Sequence, residues 1–314
     1  MSSIEHHRTK EFKSVFAEAQ KGLQYVFETK QPVLMLSSTG TGAMEAAISN
    51  LFSRGDLVLA INAGKFGERW IELGKHFCLE VLCLDVPWGH AVQVQQVEDV
   101  VKKYAPLRGV LIQAVETSTG VEHPIRDIGL MLAKKSPHAL YVVDAISALL
   151  TMPLKMDAWN IDALIAGSQK GFGLPPGLAF IALSEKAWAA AEKSSIPKYY
   201  FDLKKEKKAH NETTTAYTTP VTLVEGLKKS LEAIQQEGLE NIHKRYALFY
   251  DVVRQCVQDF GLKLYPIDPS KAVVAVYSPS SVASSVIISK MKQKYDPKEV
   301  IQSDWYRHYK AMLA

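Results

Sequence analysis

Seven short apolar runs, separated for the most part by helix-sized stretches, constrain this 314-residue chain more than any other feature. The runs lack polar alternation, which is typical of strands buried on both faces. Such strands, separated by helices, predict an α/β fold with a mainly parallel sheet sandwiched by helices. The predicted strands are Val33–Leu36, Leu57–Ile61, Glu80–Leu84, Gly109–Ala114, Leu140–Asp144, Ala163–Ala166 and Leu178–Leu183, and the predicted helices between them are Ala43–Leu51, Phe66–His76, Val94–Tyr104 and Ile125–Lys134.

The last third of the chain follows another pattern. Ser194–Pro220 carries a run of five charged residues and is predicted to be a solvated loop. Two long helices, Val221–Gln235 and Leu239–Asp259, come next, followed by a strand at Val273–Tyr277 and a helix at Val282–Tyr295. We therefore expect a large α/β domain over residues 1–237 and a smaller, apparently incomplete α+β domain over residues 238–314.

The charge and the cysteine content of the chain argue against several classes of protein. Lys and Arg total 37 against 33 Asp and Glu, a net charge of +4 that is too weak to indicate a nucleic-acid surface. No apolar run approaches the roughly 20 residues of a membrane span, and no signal peptide is expected. The three cysteines, Cys78, Cys83 and Cys256, have no metal-ligand spacing and are expected in the core, so we expect no metal and a cytoplasmic location.

Chemistry is expected at the carboxyl ends of the predicted strands, where ligands bind in open parallel sheets. Ser37–Glu45 follows the first strand as a turn of small residues that leads into a helix. Its glycines allow close backbone approach, and a helix start favours an anion. The turn matches neither a Walker loop nor a dinucleotide fingerprint. A phosphate cradle is one interpretation of this turn, and a plain strand–helix turn is the other.

Two charged residues follow later strands. Asp144 ends the run Leu-Tyr-Val-Val-Asp, where a partly buried carboxylate needs a cationic or protonated partner. Lys170 follows the next strand, and burial there would lower its pKa and make it an amine nucleophile. A phosphate cradle, a carboxylate and a strand-end lysine together match the needs of pyridoxal phosphate.

With these residues in place, the sequence resembles the class V pyridoxal-phosphate-dependent aminotransferases of fold type I, and most of all the alanine–glyoxylate and serine–glyoxylate branch. The resemblance covers roughly residues 6 to 295. The motifs that carry it are Thr39-Gly40-Thr41-Gly42-Ala43-Met44-Glu45, Asn62-Ala63-Gly64-Lys65-Phe66-Gly67-Glu68-Arg69-Trp70, Glu116-Thr117-Ser118-Thr119-Gly120, Val143-Asp144-Ala145-Ile146-Ser147, Gly167-Ser168-Gln169-Lys170 and Pro175-Pro176-Gly177.

The resemblance implies a role for each matching residue. Lys170 would form the Schiff base with the cofactor and move the proton, and Asp144 would keep the pyridine nitrogen protonated. Ile146 would pack under the ring, Phe66 would stack on its other face, and Thr117 would lie near its hydroxyl. Contacts to the phosphate would come from Thr39, Gly40, Thr41 and Gln169.

The resemblance also implies a homodimer that shares its active sites. Thr215 and Thr218 match positions that reach the phosphate of the neighbouring subunit, although a plain solvated loop is the other interpretation of this stretch. No nucleic-acid or membrane partner is expected, and the small-molecule partners would be an amino acid and a 2-oxo acid.

The sequence departs from the family pattern at both ends. It lacks the initial Pro-Gly-Pro segment and the late Arg-Ile-Gly segment, whose arginine grips the substrate carboxylate in relatives. Arg307 is the only arginine in the tail, and an amphipathic terminal helix at Pro297–Leu313 is the other interpretation of that region.

Three functions therefore stay open. The first is an aminotransferase that moves an amino group from alanine or serine to glyoxylate or pyruvate. The second is another reaction on the same cofactor, such as a lyase or a desulfurase. The third is a catalytically degenerate, cofactor-binding homodimer that acts as an interaction or regulatory subunit without the substrate-carboxylate arginine.

Overall fold

The computed structural model describes residues 6–104 and 106–295. The predicted terminal helix and Arg307 lie outside these ranges. In chain order the elements are α1 (Lys10–Phe27), β1 (Val33–Leu36), α2 (Gly40–Leu51), β2 (Leu57–Asn62), α3 (Lys65–His76), β3 (Glu80–Asp85), α4 (Val94–Lys103), β4 (Gly109–Gln113), β5 (Val115–Glu116), β6 (Val121–Glu122), α5 (Ile125–Lys135), β7 (Leu140–Asp144), β8 (Ala163–Gly167), β9 (Ala179–Leu183), α6 (Glu185–Ala191), α7 (Leu203–Asn211), α8 (Val221–Glu237), α9 (Leu239–Asp259) and α10 (Ser284–Tyr295).

The seven strands predicted in the first two thirds of the chain form one sheet in the order β1-β9-β8-β7-β4-β2-β3. Neighbouring strands from β8 to β3 are parallel, whereas β9 runs antiparallel to both β1 and β8. Six strands therefore point the same way, and their carboxyl ends meet at one edge of the sheet. The prediction of a mainly parallel sheet is confirmed.

Helices cover both faces of this sheet and form two hydrophobic cores. Alternation along β2 places Leu59 and Ile61 in one core and Val58 and Ala60 in the other. Helices α1, α4, α5 and α8 contribute to the first core, and α2, α3 and α6 contribute to the second. The predicted α/β sandwich is therefore present, with a buried face on each side.

The prediction of a buried strand at Glu80–Leu84 and of core cysteines is wrong. β3 pairs only with β2 at the edge of the sheet, so most of its residues remain partly or fully exposed. Cys83 lies on this edge strand, Cys78 lies in the turn before it at φ 61°, and Cys256 lies on α9. All three thiols are free and exposed.

The predicted loop at Ser194–Pro220 contains a helix, α7. Asp202 caps this helix, because its carboxylate accepts from the backbone N–H groups of Lys204 and Lys205 in the first turn. Its lysines suggested a loop, but Leu203, Glu206 and His210 recur at helical spacing and are buried.

The predicted strand at Val273–Tyr277 is also wrong. That segment makes only an isolated bridge, between Val276 and Leu264, and does not join the sheet. A ladder needs a continuous partner, and an apolar run in the sequence does not reveal whether one is present. Within the described ranges, no helix has the length and apolar character needed to cross a membrane.

Candidate active site

The site lies at the carboxyl edge of the sheet and begins with the turn between β1 and α2. Thr39 precedes the first residue of α2 and makes no side-chain capping bond, so the helix start keeps N–H groups for a ligand. A Cβ at Gly40 would lie 2.7 Å from Cγ1 of Ile146, so a larger residue there would force Ile146 or the turn to move. The arrangement favours the phosphate-cradle interpretation of this turn.

Helix α3 follows β2 and places two side chains at the same edge. Phe66 is its second residue, and Arg69 lies three residues later on the same face. The Arg69 guanidinium carbon lies 4.8 Å from the centre of the Phe66 ring, and Nη1 of Arg69 donates to Oγ1 of Thr41 at 3.2 Å. A side-chain contact thus joins the start of α3 to the start of α2.

The side chain of Glu116 holds the start of α3 in place through hydrogen bonds. Its fully buried carboxylate accepts from the backbone N–H groups of Phe66 and Gly67, each at 3.1 Å, and from Nε2 of Gln113 at 3.0 Å. The N–H and hydroxyl of Ser118 donate to its other oxygen, at 3.2 and 2.5 Å. Donors of this kind, and the positive end of a helix, stabilise a buried carboxylate.

Asp144 ends β7 with its carboxylate buried. Burial raises the pKa of this carboxyl to about 6, against the opposing effect of the Ile146 N–H, which donates to Oδ1 at 2.8 Å. The charge of Glu116 raises the pKa further, and the charges of Arg69 and Lys170 lower it. A buried carboxylate without an ion-pair partner among the described residues suits a protonated, cationic ligand group.

Lys170 lies in the turn after β8, beside Gln169. Its side chain is exposed at the mouth of the site. Oε1 of Gln169 is buried and has no hydrogen-bond partner in the described part of the chain. An amide oxygen accepts hydrogen bonds, so this atom needs a ligand that donates, whereas a phosphate would bind through the NH₂ group of Gln169.

One cavity of about 500 Å³ joins nine of the predicted site residues: Thr39, Gly40, Thr41, Phe66, Thr117, Asp144, Ile146, Gln169 and Lys170. Thr117 donates to Oγ of Ser147 at 2.7 Å on its wall. Sequence reasoning singled out neither Arg69 nor Val115, which also line the cavity. The spacing of Arg69 from Phe66 on a predicted helix is the signal that identifies it.

The two threonines expected to serve the neighbouring subunit lie elsewhere. Neither Thr215 nor Thr218 lines the cavity of its own chain. Thr215 donates to the carbonyl of Tyr217 at 2.6 Å, and Thr218 is exposed. The nearby loop is held by the buried carboxylate of Glu206, which accepts from the N–H of Ala216 at 3.2 Å.

The cavity fits pyridoxal phosphate by the chemistry of its lining. Its helix start and hydroxyls suit a phosphate, its buried carboxylate suits a pyridinium nitrogen, and its lysine amine suits an aldehyde. No cysteine lines it, so the described residues supply no thiol nucleophile of the kind that a desulfurase needs.

The family model for class V aminotransferases matches residues 1–275 of the chain. A Synechococcus protein named as the small subunit of a soluble hydrogenase is 37% identical over 92% of this chain and 76% of its own. The L-aspartate–glyoxylate aminotransferase of Paracoccus denitrificans is 37% identical over 92% of this chain and 75% of its own.

A solved structure gives the same assignment. The alanine–glyoxylate aminotransferase of a Nostoc species superposes with a TM-score of 0.89 at 27% identity, over 93% of this chain and 78% of its own. The fold, the cavity and the sequence matches agree, and this chain belongs to the class V aminotransferase family, whose members are pyridoxal-phosphate-dependent enzymes.

Proposed function

We propose that this enzyme moves an amino group from a small amino acid, alanine or serine, to a 2-oxo acid such as glyoxylate or pyruvate. The observation that carries the proposal is the single cavity that holds Lys170, Asp144 and the start of α2. The Paracoccus and Nostoc relatives are both glyoxylate aminotransferases, which favours glyoxylate as the acceptor.

The phosphate would lie at the first turn of the cavity. Thr39, Gly40 and Thr41 offer backbone N–H groups and hydroxyls at the start of α2, and the NH₂ group of Gln169 would donate to the phosphate. These groups hold the cofactor in one position, so that its reactive carbon stays within reach of Lys170.

The ring would lie between Phe66 and Ile146, both of which line the cavity. Asp144 would keep a proton on the ring nitrogen, because a protonated nitrogen would give its buried carboxylate a cationic partner. Thr117, whose hydroxyl donates to Ser147, lines the same cavity and would lie near the ring hydroxyl.

Lys170 is the base that moves the proton. Bound pyridoxal phosphate supplies an electron sink for the bond broken at the amino-acid α-carbon. The Nζ amine of Lys170 makes no hydrogen bond or ion pair within the described ranges, so it would be free to bind the cofactor and then to carry the proton.

The proposal includes a cytoplasmic homodimer. Thr215 and Thr218 lie outside the cavity of their own chain, on a loop that Glu206 anchors, and this supports their assignment to the phosphate of a neighbouring subunit. The proposal also includes a boundary between two domains after residue 237. Gly238 supports this boundary, because it lies between α8 and α9 with a φ of 81° that ends the helical conformation.

The test supplies the purified protein with pyridoxal phosphate, one amino donor and one acceptor, and measures the amino acid formed. Alanine, serine and aspartate are the donors, with glyoxylate or pyruvate as acceptor. Glycine formed from glyoxylate with alanine or serine as the donor, and none formed by Lys170→Ala, supports the proposal, whereas glycine formed with aspartate alone contradicts the choice of donor. A protein that binds the cofactor and consumes no donor contradicts it and supports the degenerate subunit instead.

A further inference from the structure

The residues assigned so far to the phosphate carry no positive charge to balance it. The residues assigned to the phosphate in this chain, Thr39, Gly40, Thr41 and Gln169, are all neutral. A phosphate removed from water needs hydrogen bonds and positive charge. The described lining contains two cations, Lys170 and Arg69, and Lys170 is committed to the cofactor aldehyde.

Arg69 contacts one of the neutral residues that are assigned to the phosphate. Its Nη1 donates to Oγ1 of Thr41, 3.2 Å away, and Thr41 is the second residue of α2. The same guanidinium stacks over the ring of Phe66, with its carbon 4.8 Å from the ring centre. These two contacts fix the planar group between the helix start and the aromatic wall.

No acidic oxygen of the described residues lies within ion-pair distance of this guanidinium. By contrast, Arg245 on α9 pairs with both carboxylate oxygens of Glu237, at 2.6 and 2.9 Å. Arginine has five N–H donors in a fork that suits phosphate, and Arg69 uses one of them within the described ranges. Arg69 lines a cavity whose described lining contains no anion except the buried Asp144.

We propose that Arg69 binds the phosphate of pyridoxal phosphate, together with the start of α2, and supplies the positive charge that the other phosphate residues lack. This inference rests on the proposed cofactor site and adds a residue to it. It commits Arg69 to the cofactor phosphate rather than to the carboxylate of the amino-acid substrate.

The test compares two ligands that differ only in the phosphate. Dissociation constants for pyridoxal phosphate and for pyridoxal are measured by absorption titration of wild type, Arg69→Gln and Arg69→Lys. Because Arg69→Gln removes a charge-assisted contact, we expect it to raise the dissociation constant of pyridoxal phosphate by about 10- to 100-fold and that of pyridoxal by less than about twofold. Arg69→Lys is expected to fall between wild type and Arg69→Gln.

The matched control is Arg126→Gln, which removes an exposed arginine on α5, outside the cavity. It is expected to leave both dissociation constants unchanged. Thermal unfolding of the cofactor-free variants checks that each one folds.

Three results overturn the inference. Equal weakening of the two ligands assigns Arg69 a general packing role, and no weakening of either excludes it from the site. Unchanged cofactor affinity with a raised KM for the amino donor assigns it to the substrate carboxylate. A wild type that binds the cofactor but transfers no amino group contradicts the proposed function alone, and one that binds no cofactor contradicts both.

Discussion

The backbone N–H of Phe66 donates to the buried carboxylate of Glu116 at 3.1 Å, so an acidic side chain on one loop fixes the aromatic wall of the cavity on another. The neighbouring N–H of Gly67 donates to the same oxygen at the same distance. The helix that carries Phe66 and Arg69 therefore starts where Glu116 holds it.

Replacing this carboxylate is expected to destabilise the fold. Glu116→Gln turns one acceptor oxygen into an NH₂ group that faces N–H donors, and we expect a loss of about 2 kcal/mol in the free energy of unfolding. Urea denaturation of the cofactor-free protein measures it. Glu68→Gln, on the exposed side of the same helix, is the control and is expected to change stability by less than about 0.5 kcal/mol. Equal effects would contradict the account of Glu116.

The stability gained by Asp144→Asn is expected to depend on pH. The folded chain protonates Asp144 near pH 6, because burial raises its pKa, whereas the unfolded chain does so near its ordinary value of 3.8. Between these values the folded state binds more protons, so wild-type stability from this group rises as pH falls. The uncharged variant thus gains most at pH 8, by roughly 2 to 3 kcal/mol, and little near pH 4.

Urea denaturation of the cofactor-free wild type and variant at pH 8 and pH 5 measures this difference. Asp99→Asn, which removes an exposed carboxylate on α4, is the control and is expected to show no such pH dependence. A stability difference that stays constant with pH would show that the burial of the Asp144 charge has no cost.

Adding a methyl group at Gly40 is expected to weaken cofactor binding. The new Cβ would lie 2.7 Å from Cγ1 of Ile146, so that either the cradle or the ring support has to move. An overpacking cost of about 1.4 kcal/mol predicts a dissociation constant for pyridoxal phosphate about tenfold higher. Gly226→Ala on α8 is the control, since its Cβ would meet only Leu174, at 3.2 Å. Unchanged affinity in Gly40→Ala would place the phosphate elsewhere.

Much of the site follows from strand order along the chain. β7 and β8 are parallel neighbours, so Asp144 and Lys170, which follow them, are bound to meet at one edge of the sheet. The same reasoning brings Thr41 and Phe66 to that edge, because apolar runs identify the strands and small-residue turns identify their ends. No contact between distant side chains is needed for this part of the prediction.

Contacts that depend on how two turns approach each other could not be predicted in this way. Glu116 was visible only as part of a motif, since its five donors come from three separate segments. The exposure of Cys83 depends on β3 being an edge strand, which is a property of strand order and not of local sequence. The buried face of α7 was hidden by the lysines around it.

The most direct test of the account asks which residue binds the cofactor. The purified protein is mixed with pyridoxal phosphate, treated with borohydride to make the lysine link permanent, digested, and the labelled peptide identified by mass spectrometry. The account predicts that the label lies on Lys170 and that Lys170→Ala carries none. A label on another lysine, or an unlabelled wild type, would contradict the assignment of this cavity as the active site.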